Sequence, residues 1–274
     1  MIRILRYVVG TGVALASTLA PLPEVDAAPA CSIKGTASSD VLIGTAGDDV
    51  ICGYGGDDVL KGKAGDDVLE GGAGNDTLIP GPGADRLVGG TGPDTASYKG
   101  VRTYVRVNLR NHIAKAEGQD AVYQVSNVLG GAGVDCLIGS SGPNTLSGGK
   151  GKDGVYGVGG NDRILMGKGS GAGDGGVGND VVIGGPGTDG YYAEDYPPCF
   201  LDPSDARASG LYGGPDADRI YGKRGRDWIE GGSGDDRMYG AHAVDSIDGE
   251  SGFDHAYGGP GHDACHHAEV MNSC

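Results

Sequence analysis

The chain contains the stretch Gly53-Tyr54-Gly55-Gly56-Asp57-Asp58-Val59-Leu60-Lys61, followed directly by Gly62-Lys63-Ala64-Gly65-Asp66-Asp67-Val68-Leu69-Glu70. Both stretches begin with glycine, carry aspartate at the sixth position and leucine at the eighth. A short fixed period of this kind predicts a solenoid, in which each turn of the chain contacts only its neighbours. An acid at one place in every turn also predicts a cation between the turns.

The nine-residue unit recurs in three runs, which cover residues 35–97, 130–192 and 213–266. Aspartate fills 18 of the 20 sixth positions, and Asn144 and Gly171 fill the other two. The aspartates are Asp40, Asp49, Asp58, Asp67, Asp76, Asp85, Asp94, Asp135, Asp153, Asp162, Asp180, Asp189, Asp218, Asp227, Asp236, Asp245, Asp254 and Asp263. In the unit 166–174, glycine replaces both the acid and the aliphatic residue, so we expect a loose turn there.

Each unit divides into a six-residue turn and a three-residue strand. Glycines at positions one, two and four allow positive φ and close approach of neighbouring backbones. The eighth position points an aliphatic side chain inward, as in a short strand. Two units then form one turn of about 18 residues, and neighbouring turns lie ~4.8 Å apart. The sequence therefore predicts an all-β solenoid.

The composition excludes several classes of protein. Glycine accounts for 57 of 274 residues, and the chain has only 2 Phe and 1 Trp. This composition would indicate disorder if the glycines did not recur in register. The formal net charge of −16 argues against nucleic acid or an anionic membrane as a partner.

Residues 1–28 have the pattern of a secretory signal peptide. Arg3 and Arg6 precede the short apolar stretch 7–19, and small residues suited to cleavage follow. The apolar stretch is too short for a membrane span, so we expect no transmembrane segment in the mature chain. Cys31 raises lipid anchoring as an alternative, but the preceding Ala28-Pro29-Ala30 lacks the usual aliphatic residue. We predict a secreted, extracellular protein.

Six cysteines in an exported chain favour disulfides. Cys31 and Cys52 flank the first units, and Cys265 and Cys274 close the last one. Because the ends of a solenoid expose unpaired edges, these two pairs have a physical reason to form. Cys136 and Cys199 remain, and 15 connectivities are formally open for six cysteines.

Stacking of the turns places aspartate above aspartate. Carboxylates so close together do not stay ionised without a counter-cation. Carboxylates and turn carbonyls are hard oxygen donors that suit the flexible shell of Ca²⁺. Mg²⁺ needs a stricter octahedron, and Zn²⁺ would need the Cys and His that the units mostly lack. We therefore predict several bound Ca²⁺ ions, with the sixth-position aspartates as ligands.

The units resemble the RTX, or haemolysin-type, calcium-binding repeat G-G-x-G-x-D-x-(large apolar)-x. Residues 71–78 (GGAGNDTL) and 231–238 (GGSGDDRM) match every defined place. The resemblance implies a parallel β-roll with Ca²⁺ held between turns by the sixth-position aspartates and backbone carbonyls. Departures from the motif at Pro80, Pro93, Asn144, Gly154 and Gly171 put single sites in question.

The alternative interpretation is that the aspartates form Asx turns and only make the coil soluble. A lone Gly-Asp-Asp favours that alternative, whereas the tandem array favours metal ligation. The fifth-position acids Asp48, Asp57, Asp66 and Asp235 alternate away from the sixth position, so we expect them to be solvated.

The period divides the chain into segments. We expect a first run with its N-terminal cap at 29–97, a strand-rich insert at 98–129, a second run at 130–192, an insert loop at 193–212, a third run at 213–266 and a C-terminal cap or tail at 267–274. The stretches 101–109 and 123–128 read as two longer strands, in a widened turn of the same coil. Either insert is a candidate binding surface or a tolerated excursion.

No catalytic motif stands out. The chain has no H-E-x-x-H, and its G-x-G-x-x-G and S-x-x-K matches arise from the repeat. His255, His262, His266 and His267 match no defined metal-site spacing, and we interpret them as a frayed polar tail. We therefore expect no enzyme activity.

The expected function is a secreted calcium-binding repeat protein whose folding is driven by Ca²⁺. The alternative is a calcium-dependent adhesin or extracellular module that binds polysaccharide or a cell envelope. Exposed aromatic residues would favour the alternative, and Tyr191, Tyr192, Tyr196 and Tyr212 are the candidates near the second insert.

Overall fold

The computed structural model describes residues 30–187, 189 and 210–274. In this part of the chain every regular element is a β-strand, which confirms the predicted all-β class. The same part contains no helix long and apolar enough to cross a membrane. The predicted signal peptide (1–28) and most of the predicted insert 193–212 lie outside the described residues.

The strands form two sheets, which we call the long sheet and the short sheet. The 14 strands of the long sheet are, in chain order, β1 (Ile33–Lys34), β3 (Val50–Gly55), β5 (Val68–Ala73), β7 (Arg86–Thr91), β9 (Arg106–Asn108), β10 (Ile113–Lys115), β11 (Gln119–Tyr123), β13 (Cys136–Ile138), β15 (Lys152–Tyr156), β17 (Ser170–Asp174), β19 (Leu211–Pro215), β21 (Trp228–Ser233), β23 (Ser246–Ser251) and β25 (Ala264–His266).

The 12 strands of the short sheet are β2 (Val41–Ile43), β4 (Val59–Lys61), β6 (Thr77–Ile79), β8 (Thr95–Ser97), β12 (Asn127–Leu129), β14 (Thr145–Ser147), β16 (Arg163–Leu165), β18 (Val181–Ile183), β20 (Arg219–Arg224), β22 (Arg237–His242), β24 (His255–Tyr257) and β26 (Val270–Asn272).

Outside the insert 98–129, neighbouring strands of each sheet are parallel and offset by one turn of the solenoid. Ile51 pairs with Leu69 in the long sheet, and Leu60 pairs with Leu78 in the short sheet, each 18 residues further along. Two nine-residue units therefore form one turn, and the chain alternates between the sheets. This is the predicted parallel β-roll.

The core is a double row of eighth-position side chains between the sheets. Leu60, Leu69, Leu78 and Leu87 are fully buried, as are most of their described counterparts in later turns, and Cys265 in the last unit is partly buried. Burying one leucine side chain contributes about 1.5–3 kcal/mol. The seventh and ninth positions flank it and point outward, so each three-residue strand contributes one core residue.

The insert 98–129 differs from the two longer strands predicted for it. Three of its strands, β9, β10 and β11, form an antiparallel meander in the long sheet, and β12 returns to the short sheet beside β8. Gly118 lies in the turn between β10 and β11. Val107, Ala114 and Val122 from the meander are buried in the same core as the repeats, so the insert continues the roll.

The meander gives the long sheet two more strands than the short sheet. At ~4.8 Å per strand, the long sheet gains about 10 Å at this point that the short sheet does not match. Tyr98, Val105 and Leu109 are buried here and add bulk to the core. The largest of them, Tyr98, also donates a hydrogen bond through its hydroxyl to Asp120.

The unit 166–174 is not the loose turn that its sequence suggested. Strand β17 pairs with β15 over five residues in the regular register. Met166, at the usual glycine position, is fully buried, and Cβ atoms added at Gly171 and Gly173 would lie 2.7 Å and 3.1 Å from its side chain. The thioether therefore fills the space that the missing sixth and eighth side chains leave.

Disulfides join Cys31 to Cys52 and Cys265 to Cys274, as the terminal pairing predicted. Cys136 is also disulfide-bonded, and Cys199 lies outside the described residues. The C-terminal histidines are not a frayed tail. Strands β25 and β26 order this end, and Nδ1 of His267 lies 2.8 Å from Oδ1 of Asp248.

Candidate metal centre

The sixth-position residues form two columns, one along each edge of the roll. The long-edge column precedes the long-sheet strands and contains Asp49, Asp67, Asp85, Asp135, Asp153, Asp189, Asp227, Asp245 and Asp263. The short-edge column precedes the short-sheet strands and contains Asp40, Asp58, Asp76, Asp94, Asn144, Asp162, Asp180, Asp218, Asp236 and Asp254. Apart from Asp40 and Asp263, all of these side chains are buried.

In each open-column step, one carboxylate oxygen of the later aspartate accepts a hydrogen bond from the backbone of the preceding turn. The backbone N–H of Asp58 donates to Oδ1 of Asp76 at 2.8 Å, and that of Asp76 donates to Oδ1 of Asp94 at 2.8 Å. The long-edge column repeats the pattern, for example from Asp227 to Asp245. These bonds fix the orientation of each carboxylate and leave its second oxygen, Oδ2, directed into the turn.

In one class of turn, which we call open, the buried Oδ2 has no hydrogen-bond partner. Among the described residues there are fourteen open turns. Their aspartates are Asp58, Asp67, Asp76, Asp85, Asp94, Asp153, Asp162, Asp180, Asp218, Asp227, Asp236, Asp245, Asp254 and Asp263. A buried charged oxygen without a partner is costly, so fourteen in one small protein indicate a missing positive partner.

The glycine at position one makes room beside this oxygen. A Cβ added at Gly231 would lie 2.5 Å from Oδ2 of Asp236 and 2.9 Å from the carbonyl oxygen of Gly249 in the next turn. Both distances are too short for carbon. The space that a side chain would fill is therefore lined by a carboxylate oxygen and a carbonyl oxygen.

In a second class of turn, which we call closed, the residue at position two satisfies the inner oxygen. The N–H groups of Thr36 and Thr45 donate to Oδ2 of Asp40 and Asp49 at 2.7 and 2.6 Å, and their hydroxyls donate as well. Gly131, Ser140 and Gly185 donate in the same way to Asp135, Asn144 and Asp189. These five column residues need no further partner at this oxygen.

Backbone conformation at position two separates the classes. In every open turn this residue has a positive φ, between 65° and 114°, and in none of the closed turns is its φ positive. The left-handed conformation turns the N–H away from the carboxylate. It is adopted even by Val158, at φ 84°, although a β-branched residue is strained there. The surroundings of the turn therefore impose this conformation.

Closed turns occur where a column is interrupted. Asp40 and Asp49 are the first residues of their columns. Asp135 follows Val105 on its edge, Asn144 follows Ser126, and Asp189 follows Gly171. Every open turn instead follows an aspartate or, at Asp162, the amide Asn144. The open conformation thus requires an oxygen donor in the preceding turn.

Burial and mutual repulsion raise the pKa values of many column aspartates. The pKa rises from 3.8 to about 6 for Asp94, Asp180, Asp236 and Asp245, to about 7 for Asp85, Asp153, Asp162 and Asp227, and to about 8 for Asp189 and Asp218. Burial is the main cause, and neighbouring carboxylates add to it, such as Asp180 and Asp236 around Asp218. At closed Asp49, hydrogen bonds from Thr45 lower the pKa instead.

One column residue was missed by the sequence analysis. Asp120 follows Asp85 in the long-edge column and accepts the Asp85 N–H at 3.1 Å. Its Oδ2 accepts a 3.0 Å hydrogen bond from the buried hydroxyl of Tyr98, so no cation is needed. The signal was present, because Gly118, Asp120 and Val122 fill the fourth, sixth and eighth places of a degenerate unit.

Glu269 is a second missed residue. Its carboxylate accepts the N–H of Asp254 at 2.6 Å and so ends the short-edge column. The unit around Glu269 has none of the glycines by which the repeat is recognised. Position in the fold, directly before β26, gives it the role of a sixth-position residue.

The fifth-position acids are exposed, as predicted, but they also bind backbone. Asp57 accepts the N–H of Asn75, and Asp66 accepts that of Ala84, each at 2.8 Å and one turn further along. Here the later turn donates to the carboxylate of the earlier one, whereas in the sixth-position columns the earlier turn donates to the later one. The fifth-position carboxylates therefore tie the turns together at the surface and do not reach the inner oxygens.

The donor set of the open turns fits a hard cation such as Ca²⁺. Each gap between turns presents carboxylate oxygens from two successive column residues and backbone carbonyls from the glycine turns. Oxygen-only sets of this kind suit Ca²⁺. Within the described residues no group of three or more His, Cys, Asp or Glu side chains is arranged for a metal, so backbone carbonyls must complete each shell. The departures at Pro80, Pro93 and Gly154 leave their turns open, whereas Asn144 and Gly171 do not.

Comparison with known proteins agrees with this geometry. The family described as the RTX calcium-binding nonapeptide repeat (4 copies) matches residues 32–60, 53–87, 79–97, 129–164, 173–195, 212–241 and 243–268. The matched segments leave out the meander and most of the unit that Met166 fills. A comparison with curated proteins finds no match. Since the matched segments cover well over half of its length, the chain belongs to the RTX calcium-binding nonapeptide repeat family.

Proposed function

We propose that this protein is a secreted, non-catalytic calcium-binding roll whose folding is driven by Ca²⁺ bound in its open turns. The observation that carries the proposal is the set of fourteen buried carboxylate oxygens without a partner. The ligands are the fourteen open-turn aspartates. The closed-turn aspartates Asp40, Asp49, Asp135 and Asp189 act as ends of the columns and contribute the donor oxygen of the preceding turn.

Folding without a cation is unfavourable for two reasons. Each open turn removes a carboxylate from water, and each column stacks like charges ~4.8 Å apart. A divalent cation that binds only the folded roll offsets both costs, so binding free energy becomes folding free energy. An affinity in the range of extracellular modules would leave the chain unfolded at low Ca²⁺ and folded at millimolar Ca²⁺.

Secretion is supported by two features. Residues 1–28 have the pattern of a signal peptide, and disulfides at both ends of the roll suit an oxidising compartment. A chain that remains unfolded at low Ca²⁺ is also suited to crossing a membrane before it folds.

Circular dichroism of the purified mature chain tests the proposal. With chelator we expect a mostly unordered spectrum, and with millimolar Ca²⁺ a strand spectrum. Mg²⁺ at the same concentration is the control, because it adapts poorly to a flexible all-protein oxygen shell. A chain that is fully folded in chelator, with its disulfides intact, would refute calcium-driven folding.

The second candidate function is a calcium-dependent module that binds extracellular polysaccharide. Tyr212 does not support it, since this side chain is buried in β19, and Tyr191, Tyr192 and Tyr196 lie outside the described residues. A different set of tyrosines favours it, on the outer face of the short sheet.

A further inference from the structure

Three tyrosines form a stacked row on the outer face of the short sheet near its C-terminal end. Tyr221, Tyr239 and Tyr257 occupy the ninth position of three successive turns, in β20, β22 and β24. Their ring centroids are 4.8 and 4.9 Å apart, and the planes differ by only 6° and 5°. The rings therefore cover each other's faces and present their edges outward.

A row of nitrogen donors lies beside the tyrosines. Arg219, Arg237 and His255 fill the seventh positions of the same strands and pair in register with one another. Arg219 and Arg237 are exposed, and no ion pair engages them within the described part of the chain. We call these six residues the tyrosine–arginine platform.

Charge is segregated around this part of the roll. The outward residues of β20, β22 and β24 include no acid, and β20 continues into exposed Lys223 and Arg224. In the corresponding turns of the long sheet, Glu230 and Asp248 pair across β21 and β23. In a chain with 37 acidic and 21 basic residues, a face of cations without acids is a specific feature.

We propose that the tyrosine–arginine platform binds a linear, carboxylate-bearing polysaccharide. The two guanidinium groups lie one turn, ~4.8 Å, apart along the roll, so a polymer that carries carboxylates can meet both at once. The tyrosine hydroxyls form a parallel row that can donate to and accept from sugar hydroxyls. Mutual stacking holds these rings in place, so little side-chain entropy is lost on binding.

The orientation of the rings argues against a nucleic acid in this role. Proteins that bind single strands stack the bases on open aromatic faces. Here the faces of Tyr221, Tyr239 and Tyr257 are turned toward one another, and the ammonium of Lys223 lies 5.9 Å from the ring centroid of Tyr221. The platform therefore presents ring edges, hydroxyls and charged groups to a ligand, and not open aromatic faces.

The test measures binding of the calcium-loaded mature chain to immobilised hyaluronan, a uronate polymer, with uncharged dextran and a thymidine oligonucleotide as comparisons. We expect binding to hyaluronan that weakens with salt, and none to dextran. The double variant Arg219→Gln/Arg237→Gln should lower affinity for hyaluronan roughly tenfold. Arg102→Gln/Arg110→Gln, which removes two exposed charges in the meander region, should change it by less than about twofold.

A third variant separates the tyrosine hydroxyls from the charges. Tyr239→Phe keeps the stack and removes the middle hydroxyl, and we expect an affinity loss of roughly threefold to tenfold. Equal losses in the two arginine variants would identify general ion exchange and overturn the proposal. Equal binding to dextran, tighter binding to the oligonucleotide, or no binding to hyaluronan would overturn it as well.

This proposal rests on the proposed function, because the platform forms only in the folded, calcium-loaded roll. Calcium binding is therefore measured by calorimetry on the same samples. A chain that binds Ca²⁺ and not hyaluronan refutes the platform alone. A chain that binds hyaluronan at the platform without binding Ca²⁺ refutes the calcium-driven roll and leaves the platform standing.

Discussion

At the scale of single residues, the inner carboxylate oxygen and the glycine beside it define each proposed calcium site. The aspartate supplies the charge, and the glycine leaves the space in front of it. Position two decides by its φ whether the backbone satisfies the oxygen or turns away from it. One aspartate per unit is therefore not enough to make a site.

Replacing the glycine at position one should abolish a single site. In Gly231→Ala, the new Cβ would lie 2.5 Å from Oδ2 of Asp236 and fill the space beside it. We expect one bound Ca²⁺ fewer per chain and a higher Ca²⁺ midpoint in the circular dichroism titration. Gly47→Ala is the matched control, because a Cβ there meets nothing within 4 Å. Equal effects of the two substitutions would show that the space beside Asp236 is irrelevant.

Tyr98 should stabilise the calcium-loaded protein through its hydroxyl. Tyr98→Phe leaves Oδ2 of buried Asp120 without a donor, and we expect the free energy of unfolding to fall by about 1–3 kcal/mol. Urea unfolding at saturating Ca²⁺ measures the loss. Tyr104→Phe in the same insert is the control. Unchanged stability with one additional bound Ca²⁺ would contradict the role assigned to the hydroxyl.

The sequence predicted the columns but not the division into open and closed turns. Threonine or serine at position two predicts a closed turn at Asp40, Asp49 and Asn144, because the threonine or serine hydroxyl donates to the inner side-chain oxygen. Glycine at position two fits either class, since Gly131 and Gly185 are in closed turns and Gly72 is in an open one. When position two is glycine, the column residue of the preceding turn decides whether the turn is open or closed. The identity of that residue depends on where the inserts interrupt the repeat.

At the scale of the structural element, the unit 166–174 shows how a broken repeat keeps its place in a sheet. Met166 supplies the volume that Gly171 and Gly173 lack, so β17 pairs normally with both neighbours. Methionine suits this role because its flexible side chain fills irregular space. The sequence indicated that two side chains are missing from this unit, but not that Met166 replaces them. The methionine lies in the turn, at a position where the repeat has glycine.

Restoring the motif in this unit should create a site. Gly171→Asp alone should destabilise the roll, because its Cβ would clash with the backbone carbonyl oxygen of Asp153 and would lie 2.7 Å from the methyl carbon of Met166. The double variant Met166→Gly/Gly171→Asp removes the side-chain clash, so that the turn has room to shift away from the Asp153 carbonyl, and provides an acid between Asp153 and Asp189. We expect one bound Ca²⁺ more per chain by calorimetry. A double variant that binds no additional Ca²⁺ would show that glycine and aspartate at these places are insufficient.

At the scale of the whole molecule, the column aspartates couple folding to pH. Burial raises the pKa of several of them above the ordinary value of 3.8, to about 8 for Asp218 and about 6 for Asp94. Groups with raised pKa values stabilise the folded state fully below the unfolded pKa, and this contribution is lost as pH rises through the folded pKa. In chelator, the roll should therefore be more stable at pH near 5.5 than near 8.

Circular dichroism in chelator at the two pH values measures this effect, as a larger strand signal at the lower pH. Calcium affinity should change in the opposite direction and increase from the lower to the higher pH, because protons and Ca²⁺ compete for the same oxygens. The calcium-loaded protein is the control, since its carboxylates are held ionised by the cation. Calcium-free chains of equal stability at both pH values would contradict the coupling.

The fourteen open turns have an electrical consequence. Each divalent ion adds two positive charges, so filling these turns would more than cancel the formal net charge of −16. The protein would leave a calcium-poor compartment as a polyanion and become a polycation in a calcium-rich medium. In native electrophoresis its direction of migration should reverse with added Ca²⁺. Long-range repulsion of acidic polymers would become attraction, and the ion that we propose to drive folding would also change the sign of the surfaces to which the chain is drawn.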